Sequence, residues 1–308
     1  MRIRNNIPSL FAQRSLGKTT RALNSSIEKL STGLRINRGG DDPAGLAVSE
    51  RLRTQINGLK QASKNIQDGI SLIQTAEGGI EGISDMLQRL RTLAVQSSND
   101  ILTTSDRALM QLEFNQVLTE IDRQVGAVSF NTKVLLDGRF SKVTSASNAS
   151  VSMQLQVGAN KSDTLSFFIF TASTKGLGVD GLKVTAVQTS TISLVDAIVN
   201  TATAAGSTEL GVVNQKAAES AIALISSAIT SINGLRAELG SIQNRLESTF
   251  DFVQVQTENQ IAAESRIRDL DFAEEIVNFT KNQILQQTGI ASLSQANIGP
   301  QVVLSLLQ

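Results

Sequence analysis

The sequence contains no cysteine, histidine, tryptophan or tyrosine among its 308 residues. Without cysteine it can form neither disulfides nor zinc–thiolate sites, and without histidine it lacks the commonest general base and metal ligand. Its only aromatic residues are eleven phenylalanines, so a stacking platform for nucleic-acid bases is not expected. The composition argues against an enzyme and favours a structural or assembly protein, with no catalytic residue, metal or cofactor.

Charge and hydropathy argue against two further classes of partner. There are 28 Lys and Arg residues and 28 Asp and Glu residues, so the basic excess of a nucleic-acid-binding protein is missing. No run approaches the roughly 18 apolar residues that a membrane-spanning helix needs. The N-terminus also lacks the apolar segment of a cleaved signal peptide. We therefore expect neither nucleic-acid nor membrane partners, and secretion would need a route without signal-peptide cleavage.

Proline occurs only at positions 8, 43 and 300, which allows long uninterrupted helices between residues 44 and 299. Apolar spacing predicts, in order, helix 10–37, helix 43–98, helix 104–128, strands and turns over 130–190, helix 193–264 and helix 268–307. Within the middle region, the alternation over 151–157 and the apolar segment 164–171 predict two strands joined by a turn. The predicted fold is mainly α: a long antiparallel coiled-coil helical rod with a small β-hairpin region.

Apolar residues repeat every 3.5 positions in three segments, which is the signature of a coiled-coil seam. The first seam is Leu16, Thr20, Leu23, Ile27, Leu30 and Leu34. The second is Leu52, Ile56, Leu59, Ser63, Ile66, Ile70, Ile73, Glu77, Ile80, Ile83, Leu87, Leu90 and Ala94. The third is Leu235, Leu239, Ile242, Leu246, Thr249 and Val253. Between Ile80 and Ile83 the second seam repeats a step of three, which predicts local overwinding of the supercoil.

Two helix starts carry capping signals. Asp42 is the predicted N-cap of the second helix, with Pro43 in the first helical position. Thr104 or Ser105 is the predicted cap of the third helix.

Charge is balanced over the whole chain but not locally. Residues 1–60 carry a net charge of +7, from 11 basic and 4 acidic residues, whereas residues 241–280 carry −5, from 3 basic and 8 acidic residues. Together with the matching seams, these opposite signs favour pairing of the two ends of the chain. The alternative is that the two charged segments are independent solvated surfaces.

Long motifs stand near both ends of the chain. The N-terminal half contains LSTGLRIN at 30–37, DDPAGLA at 41–47, QINGL at 55–59 and DGISLIQTAEG at 68–78. The C-terminal half contains LGSIQNRLE at 239–247, SRIRD at 265–269, TKNQILQQ at 280–287 and QAN at 295–297. In these motifs and their order the chain resembles the bacterial flagellins, the subunits of the flagellar filament, over about residues 1–140 and 210–308.

The resemblance implies a fold and a division into domains. In flagellins the two termini pair as a coiled coil that lines the filament, and long helices with a β-hairpin region form the next layer. The implied domains are 1–42 with 265–308, a discontinuous inner coiled coil, and 43–264, a helical rod with hairpins around 130–190. The chain resembles a short flagellin without large outer domains. The implied location is the secreted, extracellular flagellum.

The resemblance also implies function, partners and site residues. The implied function is a subunit that polymerises with itself for motility; the alternative is a hook–filament junction protein. The implied partners are an export chaperone at the C-terminal segment, a filament cap protein, junction proteins and, for some flagellins, a vertebrate Toll-like receptor. The receptor patch of those flagellins aligns with Arg89, Leu93 and Glu113. We expect the polymerisation seam at Leu16, Leu23, Ile27, Leu30, Leu34, Ile276, Ile284 and Leu285.

Two rival classes of protein remain open. A cytoplasmic coiled-coil adaptor would share the helical pattern but would need no export. An enzyme would have to rely on carboxylate, lysine or serine chemistry, and no such constellation stands out. For the filament subunit, we expect the terminal segments to be largely disordered in the monomer and to fold on assembly, because their partly polar seams bury little apolar area.

Overall fold

The computed structural model describes residues 6–140, 152–182, 212 and 215–305, except for the side chains of residues 181 and 299–305. The serine-rich segment 141–150 and the start of the helix predicted from residue 193 lie outside the described residues. None of the described helices combines the length and the apolar content needed to cross a membrane.

The described part of the chain is mainly α-helical, as predicted. The helices are α1 (Ile7–Thr32), α2 (Pro43–Ser97), α3 (Thr104–Ala127), α4 (Gln215–Arg268) and α5 (Phe272–Ser305). Between α3 and α4 lie the short strands β1 (Ser129–Phe130), β2 (Lys133–Val134), β3 (Met153–Gln156) and β4 (Thr164–Phe167).

The two capping predictions have different outcomes. The Asp42 carboxylate accepts hydrogen bonds from the backbone N–H groups of Ala44 and Gly45, at 3.1 and 2.9 Å, so its predicted role as the cap of α2 is confirmed. The prediction for α3 is wrong by at least one residue, because Thr103 is the cap. Thr103 accepts from the N–H of Asp106, and the Asp106 carboxylate accepts from the Thr103 N–H, which together form a capping box.

The α2 seam differs from its prediction at three positions. From Leu59 to Ser97 a row of buried residues follows alternating steps of three and four, with Gly79, Ser84 and Leu93 also buried beside it: 59, 62, 66, 69, 73, 76, 80, 83, 87, 90, 94 and 97. Ala62, Gly69 and Ala76 occupy the places assigned to Ser63, Ile70 and Glu77. The predicted phase change at residues 80–83 is therefore wrong. Small residues face inward here because neighbouring groups lie close: a Cβ built on Gly69 would stand 2.6 Å from a Leu155 methyl.

The α4 seam is confirmed. Its buried or half-buried positions continue the predicted spacing towards the start of the helix, so that the pattern runs from residue 218 to residue 253. Leu239, Ile242, Leu246 and Val253 are all buried.

Two antiparallel hairpins form the β region. Strands β1 and β2 are joined by Asn131 and Thr132, which have φ values of 47° and 66°, as a tight turn of the primed type requires. Strands β3 and β4 pair Met153 with Phe167 and Gln156 with Thr164. The predicted strand pair is confirmed, although both strands are shorter than the sequence pattern suggested.

The chain forms two compact units. The terminal unit comprises residues 1–57 and 255–308, and the central unit comprises residues 58–254. The central unit contains a continuous apolar core from α2, α3, α4 and the segments around the hairpins. Its largest fully buried side chains are Phe114, Ile66, Ile73, Ile80, Ile83, Leu87, Leu90, Leu118, Ile121, Leu135, Leu136 and Ile169.

Candidate assembly interface

Helices α1 and α5 lie side by side in opposite directions, and we call them the terminal pair. At one end the Asn6 side-chain amide donates to the Ala296 carbonyl at 2.9 Å, and the Ser9 hydroxyl donates to Asn297 at 2.8 Å. At the other end the aromatic ring of Phe272 lies against Gly33. The predicted pairing of the N- and C-terminal segments is confirmed.

A backbone joint holds the ends of the terminal pair together. Gly33 ends α1 with a left-handed φ of 71°, and its N–H donates to the Lys29 carbonyl. The Gly33 carbonyl then accepts from the N–H of Leu270 at 3.1 Å, and Leu34 forms an antiparallel bridge with Asp269. The turn after α1 is therefore fixed to the segment that precedes α5.

Two arginines reinforce this joint. The Arg35 N–H donates to the Arg268 carbonyl at 2.7 Å, and the Arg35 guanidinium donates to the Ile267 carbonyl at 2.6 Å. Arg268 is nearly buried and forms an ion pair of 2.7 Å with Glu50. This pair joins the two terminal segments, but its polarity is the reverse of the one that the charge asymmetry predicted, because the acid, Glu50, lies in the basic segment and Arg268 lies in the acidic one.

The turn between α1 and α2 has its own carboxylate. The N–H groups of Arg38 and Asn37 donate to Asp41, each at 3.0 Å. These backbone hydrogen bonds, the one from Arg38 first, hold the pKa of the Asp41 carboxyl below its ordinary value. An ionised Asp41 therefore stabilises the turn that leads into α2.

The contact face between the two terminal helices is rich in small and polar residues. Half-buried or buried positions recur every three or four residues on both helices, as in a coiled coil. On α1 they are Ser9, Ala12, Leu16, Thr19, Leu23, Ser26 and Leu30. On α5 they are Glu275, Phe279, Asn282, Gln286, Gly289, Leu293 and Ala296. This face buries little apolar area compared with the core of the central unit.

The predicted seam residues fall into two groups. Leu16, Leu23, Leu30 and Leu34 are half-buried. The remaining four are exposed by about half: Ile27 by 48%, Ile276 by 52%, Ile284 by 55% and Leu285 by 45%. Within one chain the structure therefore does not bring all eight residues into one seam. A contact of the exposed four with another subunit stays a prediction.

Exposed apolar side chains are concentrated in the terminal unit. Among the described residues, fourteen of the nineteen exposed large hydrophobic side chains lie in this unit, and only Ile36 and Ile56 are buried hydrophobics there. The sequence reasoning missed several of the exposed residues: Ile7, Leu10, Phe11, Val277, Ile290 and Ile298. A signal was available, because apolar residues of α5 occur on more than one helix face, which indicates burial on several sides.

The residues aligned with a receptor patch lie in the central unit. The Arg89 guanidinium donates two hydrogen bonds to Glu113, at 2.9 and 2.5 Å, and both side chains are partly exposed. Leu93 is only 2% exposed and belongs to the core. The surface at this point therefore consists of the ion pair without the leucine.

These features define an α-helical protein with a self-contained central unit and a terminal unit whose apolar surface is uncovered. Comparison with known proteins gives the family. The model of the bacterial flagellin N-terminal helical region matches residues 3–141, and that of the C-terminal helical region matches residues 222–307. The chain belongs to the bacterial flagellin family.

Curated relatives match over the full length of both chains. The chain is 44% identical to a flagellar filament 33 kDa core protein of Treponema phagedenis, over 308 residues. It is 41% identical to a flagellin of Bacillus subtilis, over 312 residues. The family therefore gives the chain a structural role as a filament subunit.

A solved structure shares the fold. The putative flagellar hook-associated protein from Vibrio parahaemolyticus has a TM-score of 0.52 and 17% identity, covering 74% of this chain and 100% of that one. This likeness concerns the fold alone. The full-length relatives are filament proteins, so the junction-protein alternative is not favoured.

Proposed function

We propose that the chain polymerises into a helical flagellar filament by burying the exposed apolar side chains of its terminal unit against neighbouring copies. The observation that carries this proposal is the contrast, among the described residues of that unit, between two buried and fourteen exposed large hydrophobic residues. Burial of a large apolar side chain contributes about 1.5–3 kcal/mol when complete. Covering fourteen half-exposed side chains would contribute about 10–20 kcal/mol before the cost of association.

Assembly and folding of the terminal pair are coupled in this proposal. The small and polar face between α1 and α5 stabilises the pair too weakly to offset the entropy lost on ordering 60 residues of helix. Contacts with other subunits supply the rest of the free energy that is needed to order the two helices. Hydrogen exchange on the free chain tests this: amides in 7–32 and 272–305 should exchange much faster than those of 66–94 and should become protected in filaments. Equal protection in the free chain would contradict it.

Point substitutions test the interface itself. Leu23→Asp and Ile27→Asp place a charge on α1, and Ile284→Asp places one on the exposed face of α5. Each should abolish elongation of filament seeds, viewed by electron microscopy, with the central unit still folded by circular dichroism. Gln283→Asp, at the neighbouring exposed position, is the matched control and should elongate seeds far better than Ile284→Asp. Normal filaments from Ile284→Asp would show that this face of α5 does not contribute to the subunit interface.

The same uncovered surface supports the proposed domains and partners. Residues 1–42 with 265–308 would form the inner layer of the filament, and 43–264 the surrounding rod. Before assembly the exposed face of α5 would need cover, which suits an export chaperone at the C-terminal segment. A cap protein and junction proteins would then meet the filament ends outside the cell. The role is structural, without a catalytic step.

Recognition by a Toll-like receptor is a separate proposal. Its support is the exposed pair of Arg89 and Glu113. Because Leu93 is buried, a receptor would contact the ion pair and its surroundings. Arg89→Ala should reduce receptor signalling by the purified chain, whereas unchanged signalling would exclude this patch.

A further inference from the structure

The face of α1 that points away from α5 changes character along the helix. It begins with Ile7, Leu10 and Phe11, which are 62%, 58% and 71% exposed. It continues with three exposed cations, Arg14, Lys18 and Arg21, at spacings of four and three residues. Residues at these spacings share one helix face. We call the three cations the basic face.

In the described part of the chain, the helix packed beside the basic face offers it no acidic partner over residues 276–298. From residue 276 to the end of the sequence there is no Asp or Glu, and Lys281 is the single charged side chain. Within the described residues none of the three cations forms an ion pair, and the Arg21 guanidinium donates to the carbonyl of Gly17 in its own helix. Three like charges therefore line an uncovered surface.

Exposed acidic residues lie at the other end of the terminal pair. Asp269, Asp271 and Glu274 are exposed around the start of α5, and we call these three residues the acidic segment. Elsewhere in the terminal unit, Glu28 and Glu50 already pair with Arg38 and Arg268, and Asp41 accepts the backbone hydrogen bonds of its turn, while Glu258 is exposed on α4.

The two charged regions are separated along the helix axis by a distance that the contacts define. Leu16 lies against Gly289, and Phe272 lies against Gly33. The middle of the basic face is thus about 15 residues from the level of the acidic segment. At about 1.5 Å per residue this separation is about 23 Å. A single chain cannot close that gap without breaking the terminal pair.

We propose that the basic face of one copy binds the acidic segment of a second copy displaced by about 23 Å along the axis of the terminal pair. The inference rests on the proposed filament function and adds the axial register of its inner contact. The contact is head-to-tail, so every copy presents one basic and one acidic surface and the series does not close on itself. Opposite charges set register and suppress wrong alignments more than they add affinity.

Two variants with reversed charges, tested alone and then as a mixture, test this contact. One variant carries Lys18→Glu and Arg21→Glu; the other carries Asp269→Lys and Glu274→Lys, leaving Asp271, which accepts hydrogen bonds from the first turn of α5. Each variant alone would place like charges opposite one another. The critical concentration for elongation of filament seeds should then rise by about tenfold or more. The variant Lys60→Glu, Lys64→Glu, with the same net charge change on α2, is the control and should elongate seeds like the wild type.

An equimolar mixture of the two variants provides the decisive readout. A reversed basic face on one chain would meet a reversed acidic segment on the other, so co-assembly should return to within about threefold of the wild-type critical concentration. The chain with all four substitutions should also assemble alone. Rescue by that chain but not by the mixture would place the pairing within one chain and overturn the proposal.

Two further outcomes separate this inference from the proposed function. Single variants that elongate seeds as well as the wild type would overturn the charge register and leave the filament function standing. A wild-type chain that does not elongate seeds at all would overturn the filament function and this inference with it. Circular dichroism of each variant checks that the central unit is folded.

Discussion

Gly289 of α5 packs directly against Leu16 of α1, and a Cβ built on the glycine would stand 3.3 Å from a Leu16 methyl. This contact lets the two helix backbones approach closely at the middle of the terminal pair. Gly289→Ala needs a shift of a few tenths of an ångström and should assemble nearly normally. Gly289→Leu should separate the helices and prevent seed elongation.

The control for this pair is Gly240→Leu on α4, where a Cβ meets no atom within 4 Å. Electron microscopy of seeded samples measures the result. Normal filaments from Gly289→Leu would show that close approach of α1 and α5 is not needed.

Two adjacent glycines of α2 should respond oppositely to the same substitution. A Cβ on Gly79 would stand 2.5 Å from a methyl of Val128, a stiff β-branched side chain, so Gly79→Ala should lower the free energy of unfolding by about 1–3 kcal/mol. A Cβ on Gly78 meets open space, so Gly78→Ala should raise it by up to about 1 kcal/mol. Urea denaturation of the central unit measures both. The same sign for both variants would contradict the packing described for α2.

Gln111 connects two distant segments inside the central unit. It is 1% exposed; its amide donates to the Leu182 carbonyl at 3.2 Å and accepts from the Val212 N–H at 2.6 Å. Gln111→Leu would leave both backbone groups buried without this partner. Since each such group costs about 1–3 kcal/mol, we expect a loss of about 2–4 kcal/mol in the free energy of unfolding. Gln116→Leu, an exposed glutamine on the same helix, is the control and should change stability by less than about 0.5 kcal/mol.

The capping box of α3 should contribute to acid sensitivity. The Thr103 hydroxyl, followed by the Thr103 backbone N–H, holds the pKa of Asp106 below its ordinary value. Because the folded pKa is the lower one, this contribution is present above the unfolded pKa of about 4 and is lost as pH falls through the folded value.

Asp106→Asn should therefore reduce the loss of stability between about pH 5 and pH 2, measured by urea denaturation at each pH. Thr103→Ala, which removes the other half of the box, should cost about 1 kcal/mol at neutral pH. If Asp106→Asn loses as much stability as the wild type between about pH 5 and pH 2, the acid sensitivity comes from other carboxylates.

The sequence predicts the helices well because their hydrophobic repeats are long. It also predicts the cap at Asp42, because an acidic side chain at the N-cap and a proline in the first helical position both indicate a helix start there. It misplaces the seam where small residues face inward. Gly69 carries little hydrophobic signal beside Ile70, and repeating the steps of four and three from Ile70 places Glu77 in the seam instead of Ala76, yet close packing selects Gly69 and Ala76. Ser26 and Ile27 on α1 present the same problem, since Ser26 is buried and Ile27 is half exposed.

Hydrophobic periodicity also cannot state which molecule covers a given face. On α5 the residues that meet α1 include Asn282 and Gln286, whereas Ile284 lies exposed. A pattern search assigns the isoleucine to the nearest seam because it treats the chain as a self-contained fold. Whether Ile284 is covered therefore depends on contacts that a single chain does not make.

The joint between residues 33–35 and 267–270 connects two parts of the chain that are synthesised at different times. Helix α1 is translated first, but its partner α5 follows after almost the whole remaining chain. At about 5–20 residues per second, about 15–55 s separate the synthesis of α1 from the end of the synthesis of α5. A transcript that ends early therefore yields a chain without the helix that α1 needs as its partner on assembly, and such a chain cannot complete the terminal pair.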